Sequence, residues 1–187
     1  MKPKWWNKGK THLYKRDKVM RKLLSVYKGH LTTRNNFFYS LTRSITSQQI
    51  SVSAADSVFS KFEKKCKGKI NPKIVSKLSI TDLRRCGLSR MKALGIKSLA
   101  DKILDKSFSP KLIKKMSDEE AINYLSSLRQ IGRWSSEMVL IFFYNRPNIW
   151  PVQDIGLLRA ISNNYKKKYL PPRSFVNKLQ KKFSPYC

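Results

Sequence analysis

The chain has 187 residues and carries 40 Lys and Arg side chains against 11 Asp and Glu, a formal net charge of +29 at pH 7. This length allows one domain or two small lobes to bury a core. So large a positive excess predicts a polyanionic partner. Nucleic acid is the leading candidate, ahead of an anionic membrane surface or a merely solvated, Lys-rich exterior.

Composition also argues against several classes of protein. No apolar stretch is long enough to span a bilayer, and no apolar segment follows the basic N-terminus as it would in a signal peptide. Cys66, Cys86 and Cys187 cannot all pair and form no C-x-x-C motif, so neither a zinc site nor an iron–sulfur cluster is expected. We expect a cytoplasmic, nucleoid-associated monomer without membrane attachment.

Helical periodicity runs through the first half of the chain. A helix is predicted over 17–27, a second follows an Asn36 cap, and a third spans about 51–65. The expected inward faces are Val19, Met20, Leu23, Leu24 and Tyr27 in the first helix, Phe37, Phe38, Leu41 and Ile45 in the second, and Val52, Ala55, Val58, Phe59 and Phe62 in the third.

The second half continues in the same pattern. A short helix over 81–85 ends before Gly87, and Ser89 or a neighbour caps the next helix. The expected inward face of that helix is Met91, Leu94, Leu99 and Ile103. Ser117-Asp-Glu-Glu is a capping box that opens a helix to Leu128. Prolines mark the later loops and no alternating strand pattern persists, so we predict an all-α fold.

The segment Leu128-Arg-Gln-Ile-Gly-Arg-Trp-Ser-Ser136 has the pattern of a helix–hairpin–helix. It can end one helix, turn on Gly132 and begin a second helix at Ser135. Such a turn points backbone N–H groups at an anion. In so basic a chain, the phosphate of DNA is the expected anion.

One carboxylate stands alone in the C-terminal part of the chain. Asp154 lies 22 residues after Gly132 and is the only acid beyond Glu137. It can cap a helix over 155–161. A phosphate-binding turn followed by one isolated carboxylate is also what a DNA base-excising enzyme requires, and the two roles can coexist.

Four segments, in this order, resemble the alkylpurine branch of the helix–hairpin–helix DNA glycosylases, the DNA-3-methyladenine glycosylase II group. They are Ser44-Ile-Thr-Ser-Gln-Gln-Ile-Ser51, Leu83-Arg-Arg-Cys-Gly-Leu-Ser-Arg-Met-Lys-Ala93, the hairpin, and Trp150-Pro-Val-Gln-Asp-Ile-Gly-Leu157. Trp6, His12, Leu13 and Asp17 also match the family's N-terminal segment. The resemblance therefore covers almost the whole chain.

The resemblance implies a two-lobed, all-α fold with the active-site cleft between the lobes. Lobe one would comprise 1–39 plus 145–187, and lobe two, a helical barrel with the hairpin, 40–144. The implied reaction is hydrolysis of the N-glycosidic bond of alkylated purines, such as 3-methyladenine and 7-methylguanine, flipped out of damaged double-stranded DNA. Asp154 would be the catalytic carboxylate. Bifunctional members have a lysine where this chain has Trp134, so a monofunctional enzyme is implied.

The same register assigns binding residues. Gln48 and Gln49 match the loop that enters the minor groove, with Gln49 as the wedge that fills the gap left by the flipped base. Ordinary surface residues are the alternative there. The expected phosphate-binding residues are Ile131, Gly132, Arg133 and Ser135. The expected base-pocket residues are Trp134, Trp150 and Phe38, for which core packing is the alternative.

Two features depart from the family pattern. Gln130 replaces the first hairpin glycine, and glutamine there costs about 1 kcal/mol or more if the position needs a positive φ. This departure bears on the monovalent cation that family hairpins often hold by backbone carbonyls; no other cofactor is expected to be required. The second departure is at 183–187, which resemble the start of the family's last helix, where this sequence stops.

Three other functions stay open at this point. A non-catalytic helix–hairpin–helix module would bind DNA structure; loss of the last helix favours it and Asp154 argues against it. A glycosylase for deaminated or uncharged bases would need leaving-group activation, and no second acid is obvious near Asp154. An RNA-binding basic protein would form no abasic product.

Overall fold

A computed structural model describes residues 2–32 and 34–187, and all regular structure in these ranges is helical. The prediction of an all-α fold is therefore confirmed. In chain order the helices are α1 (Trp6–Arg16), α2 (Lys18–Val26), α3 (Phe37–Ser47), α4 (Val52–Lys65), α5 (Pro72–Val75), α6 (Ile80–Arg85), α7 (Arg90–Leu104), α8 (Asp118–Ser126), α9 (Arg133–Phe142), α10 (Ile155–Tyr165) and α11 (Arg173–Phe183). A 3-10 helix (Leu112–Lys115) lies between α7 and α8.

The chain forms two units. We call Arg34–Val139 the central unit, and Met1–Thr33 together with Leu140–Cys187 the terminal unit. The central unit holds α3 to α8 and the start of α9. The terminal unit holds α1, α2, α10 and α11. The lobe boundaries expected at 40 and 144 fall six and five residues later than those of the central unit.

Polar side chains set the starts of the central helices. The Asn36 carboxamide accepts a hydrogen bond from the Tyr39 N–H at 3.0 Å, and the Ser89 hydroxyl accepts one from the Lys92 N–H at 3.3 Å. Ser117 begins α8 with the predicted capping box. Each such cap contributes about 1 kcal/mol to helix stability and fixes the first residue of the helix.

Three residues expected to face inward are exposed instead. Val52 is 78% exposed, Tyr27 is 69% exposed and Met91 is 47% exposed, so those assignments were wrong. Val52 is the first residue of α4 and Met91 the second of α7, so both precede the turns that pack into the core. Helical periodicity indicates a face but not where along the helix contact begins. Tyr27, likewise exposed, lies just beyond the end of α2.

The terminal unit has its own apolar core. Ile161 of α10 packs with Val176, Leu179 and Phe183 of α11, and the Trp150 ring packs against this cluster. Phe183 ends α11, and 184–187 are not helical, so the expectation that 183–187 begin a last helix was wrong. Helix α11 itself was not predicted, although its three inward residues have helical spacing.

Asp17 links three helices of the terminal unit and is only 4% exposed. Its carboxylate caps α2 by accepting hydrogen bonds from the Val19 and Met20 N–H groups, both at 2.9 Å. It also accepts one from the Tyr165 hydroxyl at 2.9 Å and one from the Lys182 ammonium at 2.6 Å. The ends of α10 and α11 are thereby tied to the start of α2.

None of the helices in the described ranges has the length and apolar character that a membrane span requires. Over the same ranges, no group of three or more His, Cys, Asp or Glu side chains is arranged to hold a metal ion.

Candidate nucleic-acid interface and catalytic carboxylate

The hairpin between α8 and α9 begins two residues earlier than expected, after Ser126, and α9 starts at Arg133 instead of Ser135. The Ile131 N–H donates to the Leu128 carbonyl at 3.1 Å and closes the turn. The left-handed residue is Gln130, with φ of 68°. The position does adopt a positive φ, so the backbone strain expected for glutamine here is present.

Gly132 is exposed and directly precedes α9, and its carbonyl accepts a hydrogen bond from the Ser136 N–H at 3.0 Å. A Cβ placed on Gly132 would meet no atom within 4 Å. The space over this backbone is open, which lets a large ligand approach the first turn of α9. Backbone at the start of a helix is a favourable place for an anion.

Gly95 fixes the hairpin from the other side. A Cβ on this α7 residue would lie 2.9 Å from Gln130 Cγ and 3.1 Å from the Arg129 carbonyl oxygen. Only glycine lets α7 approach the turn so closely. Nothing in the helical pattern of α7 distinguishes this glycine, so no role was predicted for it.

Gln48 joins the loop after α3 to the hairpin. Its side-chain N–H donates to the Gln130 carbonyl at 2.9 Å and to the Ser135 hydroxyl at 3.3 Å. Two of the predicted DNA-binding residues, Gln48 and Ser135, thus bond to each other inside the central unit. This contact gives Gln48 a structural role, and its contact with DNA stays a prediction.

Gln49 is exposed, and its backbone has a left-handed conformation with φ of 57°. A non-glycine residue in this region is strained by about 1 kcal/mol or more. Strained residues with exposed side chains are typical of functional positions. The placement is compatible with the predicted wedge and does not test it.

Lys92 supports the loop that carries both glutamines. Its ammonium donates to the Thr46 carbonyl at 2.8 Å and to the Gln48 carbonyl at 2.6 Å, at the end of α3. Desolvation by burial lowers the pKa of Lys92. This lysine lies within one of the four family segments, but no role was predicted for it because its partners lie more than 40 residues away.

Arg133 forms ion pairs with two glutamates. Its guanidinium donates to the two Glu119 carboxylate oxygens at 3.0 and 2.6 Å, and to Glu137 at 3.1 Å. A guanidinium so engaged would have to share or leave these carboxylates to bind phosphate. The expected phosphate contact stays a prediction, and the two acids that oppose it were not considered from sequence.

Gln48, Gln49, Lys92 and Gln130 line one cavity of about 570 Å³ in the central unit. Its walls are Ser44, Ser47, Gln48, Gln49, Ser89, Met91, Lys92, Gln130, Trp134 and Ser135. Trp134 is 42% exposed, so part of its ring is accessible. Phe38 is 4% exposed and has almost no surface to offer a base in this structure.

Asp154 is the N-cap of α10. Its carboxylate Oδ1 accepts the Leu157 N–H at 2.6 Å, and its own N–H donates to the Pro151 carbonyl at 2.9 Å. A Cβ on Gly156 would lie 3.1 Å from the same Oδ1, so glycine leaves room for the carboxylate. The capping role is confirmed, and it fixes the orientation of this side chain.

Comparison with known proteins identifies the family. A model of the HhH-GPD superfamily of base excision DNA repair proteins matches residues 42–185, a span that contains the hairpin and Asp154. The chain belongs to the HhH-GPD superfamily. The family expected from the four sequence segments is confirmed.

HhH-GPD relatives are similar over most of this chain. The alkylbase DNA glycosidase-like protein mag2 of Schizosaccharomyces pombe is 33% identical over 150 residues, which cover 78% of this chain and 70% of that protein. The DNA-3-methyladenine glycosylase 1 of the same organism is 26% identical over 186 residues, covering 96% and 82%. A solved structure of an S. pombe 3-methyladenine DNA glycosylase with abasic DNA has a TM-score of 0.82 at 25% identity, covering 96% of this chain and 90% of that one.

The central unit of this HhH-GPD chain brings together four of the predicted site residues, which are Gln48, Gln49, Trp134 and Ser135. Ile131 is buried beneath the hairpin. Asp154 and Trp150 belong to the terminal unit, where the Trp150 ring meets Phe183 edge-on at 6.0 Å.

Proposed function

We propose that this chain is a monofunctional DNA glycosylase that removes alkylated purines, such as 3-methyladenine and 7-methylguanine, from damaged double-stranded DNA. The observation that carries the proposal is Asp154, a carboxylate that α10 holds in a fixed orientation, inside the segment matched by the HhH-GPD family. The names of its relatives support the substrate class.

The proposed reaction breaks the bond between the deoxyribose C1′ and the purine nitrogen. The bonding electrons leave with the base, and a water oxygen forms the new bond to C1′ while the water loses a proton. The transition state has oxocarbenium character, and a carboxylate such as Asp154 stabilises its positive charge or accepts the water proton. An alkylated purine is already cationic, so it leaves as a neutral base without a second acid.

DNA binding is assigned to the central unit. The open backbone at Gly132 would take a phosphate at the start of α9. Gln49 would enter the minor groove, and the accessible face of Trp134 would stack on the cationic base. The formal net charge of +29 supports attraction to the duplex.

The monofunctional assignment rests on two residues. Trp134 occupies the position at which bifunctional relatives have the nucleophilic lysine. Lys92 lines the same cavity, but its ammonium donates to two backbone carbonyls, and it would have to break these contacts to act as a nucleophile. We therefore expect borohydride to trap no covalent adduct with abasic or methylated DNA. A trapped adduct that is lost in K92M would contradict the assignment.

No cofactor is part of the proposal. For the monovalent cation at the hairpin, the Gln130 and Leu128 carbonyls already accept hydrogen bonds from the Gln48 side chain and the Ile131 N–H. These bonds reduce the number of carbonyl lone pairs available to a cation.

The test is to incubate the protein with methylated duplex DNA and identify released bases by mass spectrometry. Free 3-methyladenine or 7-methylguanine is the expected product. Duplex binding without release of any base would instead support the non-catalytic module. Release only of deaminated or uncharged bases from a mixed substrate would support the other lesion class. Stronger competition by RNA than by duplex DNA, with no release, would support RNA binding.

A further inference from the structure

A cluster of arginines lies at the turn between α6 and α7. Arg84 and Arg85 end α6, and Arg90 begins α7; all three are exposed, and we call them the arginine turn. The chain has 12 arginines among 40 basic residues, and three of the 12 fall between positions 84 and 90. Concentration of the rarer basic residue at one turn sets this site apart from the Lys-rich remainder of the surface.

The arginine turn packs closely against α4. Gly87 between the helices has φ of 99°, and a Cβ there would lie 2.9 Å from Val58 Cγ2 of α4. Both the backbone angle and the close approach require glycine. The arginines therefore extend from a fixed backbone.

The arginines are not neutralised by the protein. Arg43 is paired with Asp56, and Arg133 with Glu119 and Glu137. Among the described residues, no carboxylate pairs with any member of the arginine turn. The nearby acid, Asp82, instead binds Lys65 at 2.8 Å and the Ser79 hydroxyl at 2.7 Å.

A cavity adjoins the arginine turn. Arg84 and Arg85 line a cavity of about 500 Å³, together with Thr81, Gly87, Leu88 and Ser89, and none of these residues is acidic. Ser89 also lines the cavity that contains Gln49, Trp134 and Ser135. The two cavities therefore have one lining residue in common, at the start of α7.

We infer that the arginine turn is a second phosphate-binding site, which binds the DNA backbone separately from the hairpin. Arginine suits this role because its planar fork matches two phosphate oxygens at once. The hairpin and the arginine turn would then hold the duplex at two separate points while Gln49 enters the minor groove. This inference rests on the proposed binding of duplex DNA.

The test measures the dissociation constant of R84Q/R85Q for a duplex with an abasic-site analogue, from about 50 to about 200 mM salt. The slope of log Kd against log salt should fall by about 2, since each lost phosphate contact removes about 0.9. Affinity at low salt should fall by about tenfold or more. R84K/R85K should keep most of the slope but bind more weakly than the wild type.

The matched control is K114Q/K115Q, which removes the same charge from an exposed part of the central unit. It should lower the slope much less, and thermal unfolding should show all three variants folded. If R84Q/R85Q has the same slope as K114Q/K115Q, the inference is overturned. The proposed function would survive that result if the wild type releases alkylated bases and prefers duplex DNA to RNA. If the wild type neither releases bases nor prefers duplex DNA, the inference and the proposed function both fail.

Discussion

Gln130 combines backbone strain with side-chain packing at the hairpin. Its φ of 68° lies in the left-handed region, which glycine adopts without strain but which costs glutamine about 1 kcal/mol. Its Cγ also packs where α7 has Gly95, so a Cβ on that glycine would lie only 2.9 Å away. Strain and packing therefore act in opposite directions at this residue.

Comparison of Q130G with Q130A separates these two effects. Both variants lose the side-chain contact, but only glycine relieves the strain. We expect the free energy of unfolding of Q130G to exceed that of Q130A by about 0.5 to 1 kcal/mol, after the greater freedom of unfolded glycine is included. Urea denaturation measures the difference. Equal stability of the two variants would show that the positive φ is not strained.

Gly156 leaves room for the Asp154 carboxylate. A methyl group at position 156 would lie 3.1 Å from Oδ1, so the carboxylate must shift by a few tenths of an ångström. Alanine is also about 1 kcal/mol better than glycine inside a helix. We expect the stability of G156A to lie within about 1 kcal/mol of the wild type, because the helix preference of alanine and the disturbed Asp154 cap act in opposite directions. We expect it to release base about tenfold more slowly, because small displacements of a catalytic group are costly.

Thermal unfolding and single-turnover release of 3-methyladenine check this pair of expectations. The matched control is Gly29, where an added Cβ would meet no atom within 4 Å. G29A should change neither property appreciably. Unchanged release by G156A would show that the position of Oδ1 does not matter for the reaction.

At the scale of elements, Lys92 secures the end of α3. Replacement by methionine leaves the Thr46 and Gln48 carbonyls without their donor, which costs about 1 to 3 kcal/mol. Because the loop that carries Gln49 would loosen, we also expect K92M to weaken binding to duplex DNA by about tenfold.

Lys97 provides a control on the same helix, since its ammonium donates to the Ser76 carbonyl at 2.6 Å. K97M should lose stability in the same way without weakening DNA binding. Calorimetric unfolding and fluorescence anisotropy, measured where both variants are fully folded, separate stability from binding. A similar loss of affinity in K97M would remove any special role for Lys92.

Asp17 makes the stability of the terminal unit depend on pH. Burial raises the pKa of Asp17, but the hydrogen bonds from Lys182, Met20 and Tyr165 outweigh it, and the pKa lies below the usual 3.8. A carboxyl whose folded pKa is lowered adds stability above its unfolded pKa. It loses that contribution as pH falls through the folded pKa.

We expect D17N to lower the free energy of unfolding by about 2 kcal/mol at neutral pH, since asparagine can still cap α2 but cannot pair with Lys182. The difference between D17N and the wild type should shrink as pH falls below about 4. Urea midpoints from pH 7 to pH 3 test this. A difference that stays constant over the whole range would contradict the assignment.

For the molecule as a whole, most helices could be predicted because capping residues and apolar periodicity agree, as at Asn36 and Ser117. Helix α1 was missed because its segment is largely polar and contains Gly9, whose lack of a side chain admits the Tyr186 ring. The long-range contact that places this helix has no local signature.

The candidate site could be predicted only in part, for the same reason. Motif register selected Asp154, Gly132 and Gln49 as candidates, whose functional roles stay predictions, and it anticipated the strain at Gln130. It could not reveal that Glu119 engages Arg133 or that Lys92 supports the α3 loop, because these contacts join segments far apart in sequence. A basic residue within a motif indicates a function such as phosphate binding. It does not indicate whether a carboxylate distant in sequence already pairs with that residue in the fold.

The most direct test of the central claim compares single-turnover release of 3-methyladenine by the wild type and by D154N. Asparagine is also a good N-cap, so D154N should keep α10 intact and change the charge alone. We expect equal thermal stability, similar affinity for duplex DNA, and release slower by at least about 100-fold. Release at the wild-type rate by a folded, DNA-binding D154N would contradict Asp154 as the catalytic carboxylate.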